Sequence, residues 1–178
     1  MVLAQKTEGA SSKQTRNRAG KTSFIETVHF LTGSEAGPDS IFRTPELAEY
    51  TFGMDFDLKN ARTVVERSGS AKAKIYVTAP PAAKRKLSAT DWVTFLGEEM
   101  FGLSSLEAAG SKPPSFRSLF AYFVRRQMSG AFTTPEKQAT MQGTGDMQMA
   151  LMFLFGLDWQ IARDWQAVRD REKTLEEL

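Results

Sequence analysis

His29 is the only histidine in the chain, and there is no cysteine. Together these two facts narrow the available chemistry. Without a thiol there is no disulfide, no thiolate nucleophile and no sulfur ligand for a metal. A zinc site would have to be built mostly from carboxylates, which is unusual. His29 lies in the apolar segment Phe24-Ile-Glu-Thr-Val-His-Phe-Leu31, with no Asp or Ser partner at a recognisable spacing. No nucleophile-elbow pattern accompanies it, so it reads as a packing or solvent-facing histidine. Gly143-Thr-Gly-Asp146 has the glycines of a phosphate loop but not the Gly-Lys-Ser/Thr ending, and Asp146 would repel a phosphate. It reads as a hinge or helix break. Glu98-Glu99 and Glu176-Glu177 are adjacent pairs, which do not share a helix face and read as solvated charges. The expectation is a protein with no catalytic residues, no metal and no cofactor, and not an enzyme.

The basic residues recur in a way the acidic ones do not. In Lys112–Met128 two prolines fix a helix entry, and Ser115 sits at the N-cap position. Phe116, Leu119, Phe120, Phe123 and Val124 share one helical face. The other face carries two rows, Arg117–Ala121–Arg125 and Ser118–Tyr122–Arg126, with no acidic residue between them. This predicts an aromatic anchor backed by cations, with Tyr122 placed to stack a base. Further clusters are Arg62 with Arg67, and Lys84-Arg85-Lys86. Formal net charge is only +2, but residues 1–21 hold five basic residues, Arg16, Arg18 and Lys21 among them, against Glu8. That gives the segment +4 and leaves −2 for the other 157 residues. Such asymmetry points to an arm for a polyanion or for a neighbouring subunit, although each cluster alone also fits a solvated face. The predicted nucleic-acid contacts are Arg16, Arg18, Lys21, Arg62, Lys84, Arg85, Lys86, Arg117, Tyr122, Arg125 and Arg126.

The elements that would position these residues read as mostly helical. Residues 1–22 lack apolar periodicity and are expected to form a flexible basic arm. Phe24–Leu31 is either a strand or a short helix. Thr44-Pro-Glu46 opens a helix, and Leu58–Arg67 reads as a second short one. Lys74–Thr78 is a strand candidate. A helix is predicted from Ser88 or Thr90 to Ala109, weakened by Gly97 and Gly102. Thr133-Thr-Pro-Glu136 looks like another helix start. Asp146 is expected to cap a long helix through about Arg171, with Met147–Trp159 buried and the charged half after Ala162 exposed. Met141, Met147, Met149 and Met152 read as core filler, an exposed Met-rich groove being the alternative. The fold class is therefore a mostly α protein. A small helical bundle at 23–160 carries a basic arm at 1–22, a charged C-terminal helix at 161–178 and at most one minor β-hairpin. Met1–Leu3 gives way to polar residues, so no secretory leader is expected. The longest apolar run, Met149–Leu157, is too short to span a bilayer, which needs about 20 residues.

Two stretches resemble viral coat proteins. Phe30-Leu-Thr32 and Leu47–Arg67, above all Gly53, Phe56, Ala61-Arg-Thr-Val-Val65 and Arg67, resemble the coats of rod-shaped, tobamovirus-like plant viruses. In that family these residues lie at the end of the first helix and the start of the second, and the arginine matching Arg62 lies near the RNA. The likeness spans about a fifth of the chain and departs before Asp146, where Met141-Gln-Gly-Thr144 replaces the arginine-rich start of the RNA-side helix. Phe116-Arg-Ser-Leu-Phe-Ala-Tyr-Phe123, with Thr133-Thr-Pro135 and Met152-Phe-Leu-Phe155, is similar to the core signature of flexible filamentous plant-virus coats. There an arginine, here Arg117, precedes a Tyr/aromatic pair, and the acidic partner is here displaced to Asp158 or absent. Both resemblances imply a helical subunit that polymerises on RNA, in a virion or the host cytoplasm, as a homo-oligomer that can form a helical filament. The competing expectation is an interaction or adaptor module that uses a Met/Phe-rich groove.

Overall fold

The computed structural model describes residues 20–37, 40–70, 74–79, 81–108 and 112–177. The expected arm residues 1–19, Arg16 and Arg18 included, lie outside the described residues. Among the described residues six α-helices and a four-stranded antiparallel sheet make a mixed α/β fold, which corrects the expectation of a mostly helical bundle with one minor hairpin. The sheet runs β1 (Thr51–Leu58), β2 (Ala61–Ser68), β3 (Lys74–Thr78) and β4 (Arg85–Ser88), in that spatial order. Helix α1 (Lys21–Leu31) precedes it. After it come α2 (Ala89–Phe101), α3 (Leu103–Ala108), α4 (Phe116–Phe123), α5 (Thr144–Leu154) and α6 (Trp159–Glu176).

Leu58–Arg67, expected as a short helix, lies in the β1–β2 hairpin, and the helix expected at Thr44 does not form. Thr44-Pro-Glu46 closes only turns, the Leu47 and Ala48 amides both donating to the Thr44 carbonyl at 3.0 and 2.8 Å. Lys59 and Asn60 both take positive φ, the conformation a two-residue hairpin turn demands. Phe52, Met54 and Phe56 point to one side, opposite Arg67, Val65 and Thr63. That period of two is the signature of a half-buried strand. The inner face packs on α1 and α2, and its core joins Val65, Ile75 and Val77 to Phe30, Leu31, Trp92 and Leu96. No outward residue of the four strands is buried, so the sheet has one wet face. A Cβ on Gly69, just past β2, would lie 1.9 Å from the Phe42 carbonyl oxygen, so only glycine fits there.

Several local readings hold. Lys74–Thr78 is a strand, and Ser88 caps α2 by accepting from the Asp91 amide at 3.0 Å. Ser115 caps α4 by accepting from the Ser118 amide at 3.1 Å, with Phe116, Leu119 and Phe120 buried. Others change. The helix after Ser88 breaks at Gly102, whose φ is +67°. Thr133–Glu136 forms turns and bends. The long C-terminal helix is two helices. Gly156 (φ +69°) ends the first, the Leu157 amide donates back to the Met152 carbonyl at 2.8 Å, and Asp158 caps the second through the Gln160 amide. Within α5 only Ala150 is fully buried, so Met147–Trp159 is not the enclosed segment its composition implied. No helix among the described residues is long and apolar enough to cross a membrane.

Candidate nucleic-acid interface

The arginine rows expected on α4 do not form. The helix ends at Phe123, because Val124 leaves helical geometry, and Arg125 and an extended Arg126 follow outside it. Phe123 itself is 67% exposed rather than buried. Arg117 turns toward α1. Its Nη2 donates to His29 Nδ1 at 2.7 Å and its Nη1 to Thr32 Oγ1 at 3.2 Å. Arg126 forks onto the Glu26 carboxylate, Nε to Oε1 at 3.1 Å. Arg125 donates to the Ala131 carbonyl at 2.9 Å and to that of Pro135. The Tyr122 hydroxyl donates to the Glu136 carbonyl at 2.9 Å and lies 3.1 Å from Gln142 Oε1. Arg117, Tyr122, Arg125 and Arg126 therefore clasp α1 and the 124–142 segment to α4. They do not present one open cationic face.

This clasp fixes the protonation of His29. With Nδ1 accepting from Arg117, Nε2 carries the proton and donates to the Val124 carbonyl at 2.7 Å. Burial, with the Arg126 and Arg117 charges nearby, lowers the imidazole pKa to about 4, against a favourable bond to Val124. Burial also brings the Arg117 guanidinium down to about 10. For His29 the folded pKa is below the unfolded one, so its contribution is complete above pH 6.5 and is lost as pH falls toward about 4. The loss is on the order of 3 kcal/mol. Urea titrations at steps between pH 7 and pH 4 are expected to show it, and His29→Gln is expected to flatten that part of the profile.

The remaining predicted contacts lie elsewhere. Lys21 is exposed at the start of α1, beside a groove of about 430 Å³ lined by Ile25, Phe123, Val124 and Phe132. Arg62 stands on the wet face of β2 and is tied to Asp55, Nε to Oδ2 at 2.8 Å, which holds that carboxyl below its usual range. Lys84 pairs with Glu66 and sits 5.2 Å above the Tyr76 ring. Arg85 lies over Phe95 at 4.8 Å, and Lys86 is directly opposite Tyr76 across the strands.

Register makes the wet face electrically polar. Its β1–β2 half carries Asp55, Asp57 and Glu66 against Arg62. Its β3–β4 half carries Lys74, Lys86 and, just before β4, Lys84, grouped around an exposed Tyr76. Lys74 and Tyr76 were absent from the residues read as contacts. Their signal was present: in a strand Lys74-Ile-Tyr-Val-Thr78, alternation puts Lys74 and Tyr76 on one side and Ile75 and Val77 on the other. Lys74 and Lys86 beside the ring, with Lys84 shared with Glu66, can neutralise phosphates while the ring stacks on a base.

The α5–α6 pair offers a surface of a different kind. Met147, Leu151, Met152, Ile161 and Trp165 line an apolar groove of about 350 Å³. Met147 and Met152 are only partly buried and Met141 is exposed, so these methionines are not core filler. Among the described residues no group of three His, Cys, Asp or Glu side chains could hold a metal ion. Compared with protein families, with curated proteins and with solved structures, the chain matches none of them.

Proposed function

We propose that this chain is a structural protein that self-associates and coats single-stranded nucleic acid, RNA in the first instance, holding phosphates without reading sequence. The observation that carries the reading is the β3–β4 half of the wet sheet face, where Lys74 and Lys86 share a side with Tyr76 and Lys84, ion-paired to Glu66, lies over its ring. It takes over the role expected of Arg117, Arg125 and Arg126 from their helical spacing. The unpaired apolar surface of α5–α6 supports the self-associating half. That surface also favours the second reading, an interaction module whose groove takes a partner segment. The two separate on salt, because each phosphate contact adds to the salt dependence and an apolar groove adds nothing.

The test is fluorescence anisotropy on a labelled single-stranded RNA between 50 and 200 mM salt. Wild-type affinity is expected to fall steeply across this range. The triple change Lys74→Ala, Lys84→Ala, Lys86→Ala is expected to reduce the log–log slope by about 1–2, since each single-strand contact accounts for about 0.7 and Lys84 is shared with Glu66. Tyr76→Ala is expected to weaken binding by about 1–3 kcal/mol with the slope unchanged. An affinity indifferent to salt, or to the triple change, overturns the reading. Electron microscopy with and without RNA then reports whether the bound form is a filament.

A further inference from the structure

Helix α6 has two apolar sides and uses only one. Trp159 and Ala162 are buried, and the Gln166 side chain reaches Gly145 of α5 closely enough that a Cβ there would lie 2.6 Å from its Oε1. The second side carries Ile161, Trp165, Val168 and Leu175, which are 61%, 60%, 51% and 68% exposed. Their spacing of four, three and seven places them on the a/d seam of a heptad pattern, with Glu172 at the missing position. Isolated exposed apolar residues are ordinary, but a continuous stripe that runs into an apolar groove marks an interface.

We propose that this side of the α5–α6 hairpin pairs with the same side of a second copy across a two-fold axis, α6 antiparallel to α6, giving a four-helix bundle. Charge selects the occupant and the direction. Asp164 and Arg171 flank the seam on one side, seven residues apart, and both are exposed, Asp164 also accepting from Arg163 at 3.0 Å. An antiparallel pairing centred near Val168 sets Asp164 of each copy against Arg171 of the other and brings Trp165 to the partner's Val168. Both ion pairs are made by the one symmetry operation. A parallel pairing would instead bring the two Glu172 carboxylates together at the seam, where like charges repel. On the other flank Ala162 is buried while Arg169 and Glu176 are exposed, so the direction rests on Glu172 at the seam. A self-complementary surface of this kind closes at two copies and makes the dimer the unit from which any larger assembly is built. The proposal names the subunit contact within the function above and rests on the self-associating half of that reading.

The full chain has a mass of 19.8 kDa, so sedimentation or light scattering is expected to give twice that, about 40 kDa, at micromolar concentration. Val168→Asp is expected to return the mass to 19.8 kDa with an unchanged circular-dichroism spectrum, because Val168 is on the surface. Asp164→Arg and Arg171→Asp are each expected to weaken the dimer at least tenfold, and the two changes together to restore it. The chain has no cysteine, so Val168→Cys supplies its only thiol. Under oxidising conditions this variant is expected to form a covalent dimer and Leu175→Cys is not, since a disulfide needs its Cα atoms within about 7 Å. A monomeric wild type overturns the proposal, as does a dimer that survives Val168→Asp. Efficient cross-linking at both positions, or no restoration by the double exchange, overturns the antiparallel arrangement. RNA anisotropy on Val168→Asp separates the two readings: a monomer that keeps salt-dependent binding ties the loss to this contact alone, and wild-type dimers that bind no RNA sink the coating function and leave the contact standing.

Discussion

Arg67→Ala is expected to cost about 3–5 kcal/mol of folding stability, a large part of the roughly 5–15 kcal/mol a domain possesses. The residue looks like a surface cation in the sequence, yet it is 2% exposed. It leaves β2 on the inner side of the sheet and reaches across the core to α1. Its Nη1 donates to the carbonyls of Phe30 and Ser34 at 2.7 and 2.8 Å, and its guanidinium lies 4.3 Å over the Phe30 ring. A cation at the carboxyl end of α1 also complements the helix dipole. Truncation would strand the Ser34 carbonyl at about 1–3 kcal/mol, leave the Phe30 carbonyl only its 3.3 Å bond from the Gly33 amide, and open a cavity besides. Lysine would not restore the loss, since an ammonium cannot spread donors and a flat face over the same ring. Urea denaturation of both variants measures the effect. A loss below about 1 kcal/mol would show that the strand and helix are not joined in this way. The RNA affinity of the folded fraction is expected to stay at the wild-type value, because the side chain never reaches the wet face.

Trp92→Ala is expected to be equally damaging, at about 3–5 kcal/mol. Trp92 is fully buried between sheet and helices and stacks on Phe95 with ring centres 5.6 Å apart. Its Nε1 donates to the Leu31 carbonyl at 2.9 Å, closing the other end of the joint that Arg67 makes with α1. The two parts of its contribution can be separated. Trp92→Phe keeps most of the apolar volume but strands the Leu31 oxygen, so it is expected to cost about 1–3 kcal/mol. Thermal melts of the pair, followed by circular dichroism, should therefore rank alanine well below phenylalanine. Equal melting temperatures would mean that the hydrogen bond, and not the packing, carries the position. Single alanine changes at Lys74 or Lys86, in contrast, are expected to stay within about 0.5 kcal/mol of wild type.

These positions show why some of the fold was legible and some was not. The caps at Ser88 and Ser115 and the alternation of Lys74–Thr78 were readable because each depends on neighbours within a turn or along one strand. A helix was expected at Thr44 because Thr44-Pro-Glu46 imitates a helix start, although the chain there only turns into β1. Arg67 also occupies an inward position of β2, which breaks the alternation of apolar residues that identifies a strand. Burial of α5 was misjudged for a related reason. An apolar composition states what a helix tends to hide, but whether anything covers it depends on which elements pack there, and here one side of the α5–α6 pair has no cover within the described chain.

The cations divide the same way. Sequence alone settled that thiol chemistry is absent, that basic residues cluster in several places and that Ser115 starts an aromatic-faced helix. The tertiary structure alone decided which of those cations are free. Arg67 meets its carbonyls 33 and 37 residues away, Arg117 meets His29 at 88, and Arg126 meets Glu26 at 100. A guanidinium binds whatever acceptor the fold brings within about 3 Å, and at those separations nothing in the local pattern of residues specifies the acceptor.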